Sequence, residues 1–192
     1  YAVNELGALW FEEMRYDSAL HYYNLLLDSD TYRENAIVRI ANIYNQLGQS
    51  KESIAMIERL ITEYPKSRYL VDAYILHARA LKTQGDYESA INVLHEVADN
   101  IGDRAELYME IGRLYFESEE FAVARQYFLR ACEMFKQQRE SAAKALLLAG
   151  DASVRIGDKT KGKELYLQAN MVAESAVLKN QAMQKITMLD EE

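Results

Sequence analysis

The sequence predicts an all-α fold, a solenoid of antiparallel helix pairs, on three observations. Two small residues twelve positions apart recur five times, as Gly7/Ala19, Ala41/Ser53, Ala78/Ala90, Gly112/Ala124 and Gly150/Gly162. Successive units are offset by 34 to 38 residues, the interval of paired-helix repeats that stack side by side. The 192 residues include one proline and eight glycines, so few breakers interrupt long helices.

Each unit reads as a first helix, a tight turn and a second helix. The units span roughly 1–30, 31–66, 67–102, 103–137 and 138–174. The first helices carry a bulky residue, a bulky–small pair and usually another bulky residue on one stripe. In order these are Val3, Leu6-Gly7, Trp10; Ile37, Ile40-Ala41, Tyr44; Tyr74, His77-Ala78, Leu81; Tyr108, Ile111-Gly112, Tyr115; and Leu146, Ala149-Gly150, Ser153. The second helices add a small residue and a large one four later: Ala19/Tyr23, Ser53/Ile57, Ala90/Leu94, Ala124/Phe128 and Gly162/Tyr166. Small residues let helices approach and large ones fill the space between units.

The turns are in register too. Leu47-Gly48-Gln49, Gln84-Gly85-Asp86 and Ile156-Gly157-Asp158 place glycine where a helix stops, with an aspartate beside two of them as capping chemistry. Pro65 stops the second helix of unit two. Two insertions lengthen the period, one at Tyr64-Pro65-Lys66-Ser67-Arg68-Tyr69 and one near Lys136 to Glu140. After the fifth unit, 175–192 reads as a capping helix and tail, with an apolar stripe of Val177, Leu178, Ala182, Met183, Ile186 and Leu189. Its polar face carries Lys179, Gln181 and Lys185.

Composition narrows the function classes. With 49% apolar and 27% charged residues the chain is that of a folded protein, not a disordered one. A net charge of −8 argues against nucleic-acid binding, which needs a basic face. Cys132 is the only cysteine, so an intramolecular disulfide is excluded; beside Ala131, Met134 and Phe135 it reads as an inert buried thiol. The longest apolar run, Ala145 to Gly150, is too short to span a membrane. Because the first residue is Tyr1, the chain is expected to be a piece of a longer or processed protein, with any leader or anchor upstream.

Catalytic chemistry is not expected. His77 falls on a helix stripe and reads as a hydrogen-bonded core histidine, while His21 and His95 have no partner at metal spacing. Neither a phosphate-binding glycine loop nor a nucleophile elbow is present. Acidic pairs such as Glu12-Glu13 and Glu119-Glu120 sit at turns and read as solvation. No cofactor or metal is implied.

The pattern resembles the tetratricopeptide repeat family over about residues 1–174, whose consensus is bulky-x2-Leu-Gly-x2-Tyr, then Ala-x3-Phe, then Pro. Unit four, Tyr108 to Ala131, is closest; unit five departs most, with Ser153 at the aromatic site and Gly162 at the alanine site. The resemblance implies a right-handed superhelix whose first helices line a concave groove for a partner peptide or helix. The Tyr64-Pro65-Lys66-Ser67-Arg68-Tyr69 joint, followed by Asp72-Ala73-Tyr74, resembles that of bacterial envelope repeat proteins. That likeness favours the bacterial periplasm or cell envelope over the cytoplasm.

The same resemblance points the residues after each small residue into the groove. One row is Ala8, Asn42, Arg79, Arg113 and Asp151; the next is Phe11, Asn45, Lys82, Phe116 and Val154, flanked by Glu12, Gln46, Thr83, Glu117 and Arg155. The candidate binding residues are therefore Asn42, Asn45, Arg79, Lys82, Arg113 and Phe116. Asparagines hold a peptide backbone, arginines suit carboxylates and Phe116 offers an apolar anchor. Such a groove selects an acidic or extended segment. Members that grip a chaperone's C-terminal carboxylate need basic residues where this chain has Leu76, Glu106 and Glu110, so that specificity is not expected.

The leading function is thus a non-catalytic protein–protein interaction scaffold. Two alternatives stand beside it. One is a self-assembling structural protein, using surfaces that include Met171, Met183 and Met188 and sensitive to deletion of Ser175 to Glu192. The other is the docking or sensory segment of a larger regulator.

Overall fold

The computed structural model describes residues 1–101, 104–135 and 137–191, and among these the chain forms eleven α-helices and no strand. The second insertion therefore begins at a residue, Lys136, outside the described set, and Gly102 and Asp103, at the boundary the sequence pattern draws between units three and four, lie outside it too. The helices are α1 (Ala2–Glu12), α2 (Tyr16–Leu25), α3 (Arg33–Gln46), α4 (Ser50–Glu63), α5 (Leu70–Thr83), α6 (Tyr87–Ile101), α7 (Ala105–Glu117), α8 (Phe121–Met134), α9 (Arg139–Ile156), α10 (Lys159–Val172) and α11 (Ala176–Glu191). They group into two compact units, Tyr1–Val97 and Ala98–Glu192.

One backbone device closes five of the helix–helix turns. The amides of Arg15, Gln49, Asp86, Glu120 and Asp158 donate to the carbonyls of Trp10, Tyr44, Leu81, Tyr115 and Ser153 at 2.8–3.1 Å. This six-to-one bond requires a left-handed residue just past the helix end. Gly48, Gly85 and Gly157 supply it with φ of 71°, 82° and 95°. In the other two turns Met14 (φ 57°) and Glu119 (φ 66°) adopt the same conformation without being glycine. The two aspartates act as expected: Oδ1 of Asp86 accepts from the Ser89 amide and Oδ1 of Asp158 from the Lys161 amide, each at 3.0 Å.

In the first unit, α1 packs on α2, α3 on α4, and α3 and α4 on α5. Ala19, Tyr23, Leu26, Ala36, Ile40 and Ile43 form one buried cluster; Ile37, Ala41, Ile57, Leu60, Ala73 and Leu76 form another. Ser53 buries its hydroxyl by donating to the Ala41 carbonyl at 2.9 Å, which ties the two small positions of that hairpin together. At the Tyr-Pro joint the Tyr69 amide donates to Ser67 Oγ at 3.1 Å, while the half-buried Tyr64 packs on the second cluster. Leu6, expected on the buried stripe, is exposed.

In the second unit, α7 packs on α8, α8 on α9, α9 on α10, and α10 and α9 on α11. One cluster runs through them, from Tyr108 and Phe128 to Leu146, Leu165, Tyr166, Leu178, Ala182 and Ile186. Leu178, Ala182 and Ile186 are the buried face of α11, with Leu189 half-buried. Val177 and Met183, expected on that stripe, lie in solvent because the three buried positions, four apart, define a narrower seam.

The small residues serve the core differently from expectation. A Cβ on Gly7 would stand 2.9 Å from the Tyr23 ring, on Gly112 2.7 Å from the Phe128 ring, and on Gly150 2.4 Å from the Tyr166 ring. These glycines are seats for an aromatic ring of the following helix. Gly162 differs in facing a backbone, the Gly150 carbonyl at 3.3 Å, as well as Val154 Cγ2 at 2.6 Å. Where the small residue is alanine, at Ala41 and Ala78, the residue sixteen positions on is aliphatic, Ile57 or Leu94.

Candidate functional site

The two units divide the candidate residues: Asn42, Asn45, Arg79 and Lys82 lie in the first, Arg113 and Phe116 in the second. In the first unit the two asparagines differ. Asn42 is half-buried on α3. One turn later, Asn45 Nδ2 donates to the Leu76 carbonyl on α5 at 2.8 Å. Its Oδ1 is buried without a hydrogen-bond partner. Asn45 thus ties one first helix to the next, committing one of its two amide N–H groups. Arg79 and Lys82 are half-buried and each has an interaction of its own.

His77, one residue before Ala78, is half-buried rather than a core residue. Burial holds its imidazole below the usual value, opposed by the negative charge of Glu58. No metal site forms around it; among the described residues no three His, Cys, Asp or Glu side chains cluster closely enough to hold an ion. Cys132 is half-buried, and burial pushes its thiol up, with Glu133 adding to the effect. That shift suppresses the thiolate a nucleophile needs.

In the second unit Arg113 Nη1 sits 2.9 Å from Oε2 of Glu110, one turn back on α7. Glu110 is only 5% exposed, so this arginine compensates a buried carboxylate that would otherwise be strongly unfavourable. Asp151, in the same row, is also occupied. Its Oδ1 accepts from the Tyr166 hydroxyl at 2.6 Å and from Lys185 Nζ at 2.7 Å. Burial and the bond to Asp151 together raise the Tyr166 hydroxyl far above its usual value, so it stays a donor. Lys185, expected on a polar face, instead pins α11 to α9. The carboxylate of Glu140 does the same at the start of α11, accepting from the Glu174 amide at 2.9 Å and the Ser175 amide at 3.3 Å.

Phe116 is half-buried and meets Phe121 edge-on, with centroids 5.1 Å apart and planes at 69°. The guanidinium of Arg155 lies 4.2 Å from the Phe121 centroid and 5.8 Å from that of Phe116. Phe116 thus belongs to a composite of three helices: α7, the first residue of α8, and the last turn of α9. The sequence placed Arg155 only in the flanking row and gave no sign of Phe121. The signal lay in the turn register: Phe121 follows a six-to-one turn, where the first residue of the second helix folds back beside the end of the first.

Sequence models of the tetratricopeptide repeat match residues 75–139 and 35–67. No curated protein matches the chain. Among solved structures, a thermophilic tetratricopeptide repeat protein from Thermus thermophilus is 17% identical, with 97% of this chain and 98% of that one covered at a TM-score of 0.74. A tetratricopeptide repeat protein from Parabacteroides merdae is 18% identical over 96% of this chain and 70% of that one, at a TM-score of 0.70. MamA from Desulfovibrio magneticus is 15% identical over 89% and 93%, at 0.63. At such identities the likeness is one of fold.

Proposed function

Since the chain belongs to the tetratricopeptide repeat family, we propose that it is a non-catalytic scaffold that holds an extended partner segment against its first helices. Repeats of this family are protein–protein interaction modules, and no described helix is long and apolar enough to cross a membrane. The observation that carries the reading is the set of partly or fully exposed polar and aromatic residues on first helices. These are Asn42, Arg79 and Lys82 in the first unit, and Arg113 and Phe116 in the second. Asn45 contributes by fixing α3 against α5. The five repeat units and the role of α11 as cap are part of this proposal; polar ends over an apolar core are what an array needs.

The test is a crosslinking pull-down from the source cell with the native chain and the Arg79→Glu/Arg113→Gln variant. Glutamine is used at 113 because a glutamate there would face the buried Glu110. A partner held by the native chain and lost by the folded variant supports binding on the first helices. The same partners with both chains overturns it.

A second reading, self-association, draws on the outer side of the last helices, where Met171, Val177 and Met188 are 69%, 76% and 66% exposed. Deleting α11 would uncover the core neighbours of Leu178, Ala182 and Ile186 and aggregate the chain for trivial reasons. Val177→Ser/Met188→Gln leaves that core intact. A concentration-dependent mass in light scattering that this variant abolishes supports self-association; a constant monomer mass removes it.

A further inference from the structure

We propose that Arg155, held over the rings of Phe121 and Phe116, is a receptor for a carboxylate side chain on an extended partner segment. This deepens the scaffold reading and rests on it. Arg155 occupies the last turn of α9 and is exposed. Its cation lies over Phe121 at 4.2 Å, and Phe121 is itself braced edge-on by Phe116. A guanidinium carbon this close to a ring centroid suits a face-on cation–π contact, a geometry that leaves the forked N–H donors at the edge available to an acceptor.

Neighbouring arginines show what is unusual about it. Arg113 pairs with Glu110 at 2.9 Å, Arg125 with Asp158 at 3.6 Å and Arg139 with Glu174 at 3.7 Å. Among the described residues no carboxylate is paired with Arg155, and its cation lies near the two rings. The side chain is therefore oriented without being neutralised, and binding a carboxylate in the bidentate geometry that guanidinium favours needs little further ordering.

The surroundings select the partner. A chain of net charge −8 repels a polyanion, whereas a single carboxylate on a peptide meets little of that field. The half-buried rings of Phe116 and Phe121 offer apolar surface directly beside the cation. The partner class is thus an extended segment in which an aspartate or glutamate adjoins an aliphatic residue.

The probes are two random hexapeptide pools, blocked at both termini, sharing a central leucine followed by a fixed glutamate in one pool and glutamine in the other. Each is retained on immobilised native chain or on Arg155→Gln, Arg155→Lys and Phe121→Leu variants, and bound peptide is quantified by mass spectrometry. The expected result is a glutamate preference on the order of tenfold for the native chain. It falls to parity in Arg155→Gln, survives partly in Arg155→Lys, which lacks the fork, and shrinks in Phe121→Leu. Unchanged thermal unfolding of Arg155→Gln certifies its fold. An equal preference in Arg155→Gln assigns selection to another cation and overturns the proposal. Retention of both pools without preference overturns the carboxylate receptor and leaves the scaffold reading standing. Retention of neither removes both.

Discussion

Alanine at position 112 sets two effects of known sign against each other. In a helix interior alanine is better than glycine by about 1 kcal/mol, so the substitution is stabilising wherever space allows. Here the new Cβ would lie 2.7 Å from Cδ1 and Cε1 of Phe128. Carbon atoms settle at roughly 3.5–4.0 Å, so ring and helix must part by about an ångström. Phe128 is fully buried and cannot swing into solvent. Overpacking of this kind costs about 1–3 kcal/mol, and the middle of that range less the propensity gain leaves a net loss of about 1 kcal/mol. In a chain of this size that lowers the melting temperature by roughly 2–4 °C.

Phe128→Leu supplies the control. Alone it opens space above Gly112 and destabilises by an amount below the roughly 3–5 kcal/mol of a phenylalanine truncated to alanine. Combined with Gly112→Ala it recreates the alanine–aliphatic pairing of Ala41 with Ile57 and Ala78 with Leu94. The double variant is expected to be more stable than the sum of the singles predicts, with a coupling of about 1–2 kcal/mol. Thermal and urea unfolding followed by circular dichroism give all four corners of the cycle. If Gly112→Ala melts at or above the native chain, or the two changes simply add, the ring-seat account of these glycines is wrong.

Glu119 holds a left-handed backbone at φ 66° where three other turns have glycine; relieving a strain of about 1–2 kcal/mol outweighs the entropy cost of glycine, so Glu119→Gly should raise the melting temperature, and Gly85→Ala should lower it. His77 is held below its ordinary value by burial against the opposing pull of Glu58, so the folded chain binds fewer protons there than the unfolded one. Its contribution is complete above about pH 6.5 and is lost as pH falls toward the folded value; an imidazole midpoint by NMR at or above that of a free histidine would contradict this. Lys185→Met removes one of the two donors to Asp151, which should accelerate amide hydrogen exchange along α11 while leaving the first unit unchanged.

The helix hairpins were legible because their signals are local. A six-to-one turn with glycine at its left-handed position is written in three adjacent residues, as in Leu47-Gly48-Gln49. The turns at Met14 and Glu119 were hidden, since nothing in those residue types announces a positive φ; only their register, 34 residues before Gly48 and after Gly85, gives them away. The stripes were legible to the same degree. A twelve-residue spacing reports that small residues face each other, yet not which group sits on them, and the glycine–aromatic correspondence requires comparing positions sixteen apart across units.

The groove row is less legible for a different reason. Assigning residues to a row by register treats each side chain as independent, but packed helices bring their rows within reach of one another. Asn45 then finds the Leu76 carbonyl, Arg113 finds Glu110 and Asp151 finds Tyr166 and Lys185. A polar residue half-excluded from water takes any partner that restores its lost hydrogen bonds, and in a repeat protein that partner is often on the next helix. What a sequence row marks is therefore a set of residues able to bind something; the structure decides which have already done so. In the second unit Arg113 and Asp151 are partly committed in this way, whereas Arg155 lies over Phe121 with no described carboxylate to cancel its charge. On the proposed reading, partner recognition rests on the polar groups that intramolecular pairing leaves over, so that a common backbone frame can present different specificities with small changes in sequence.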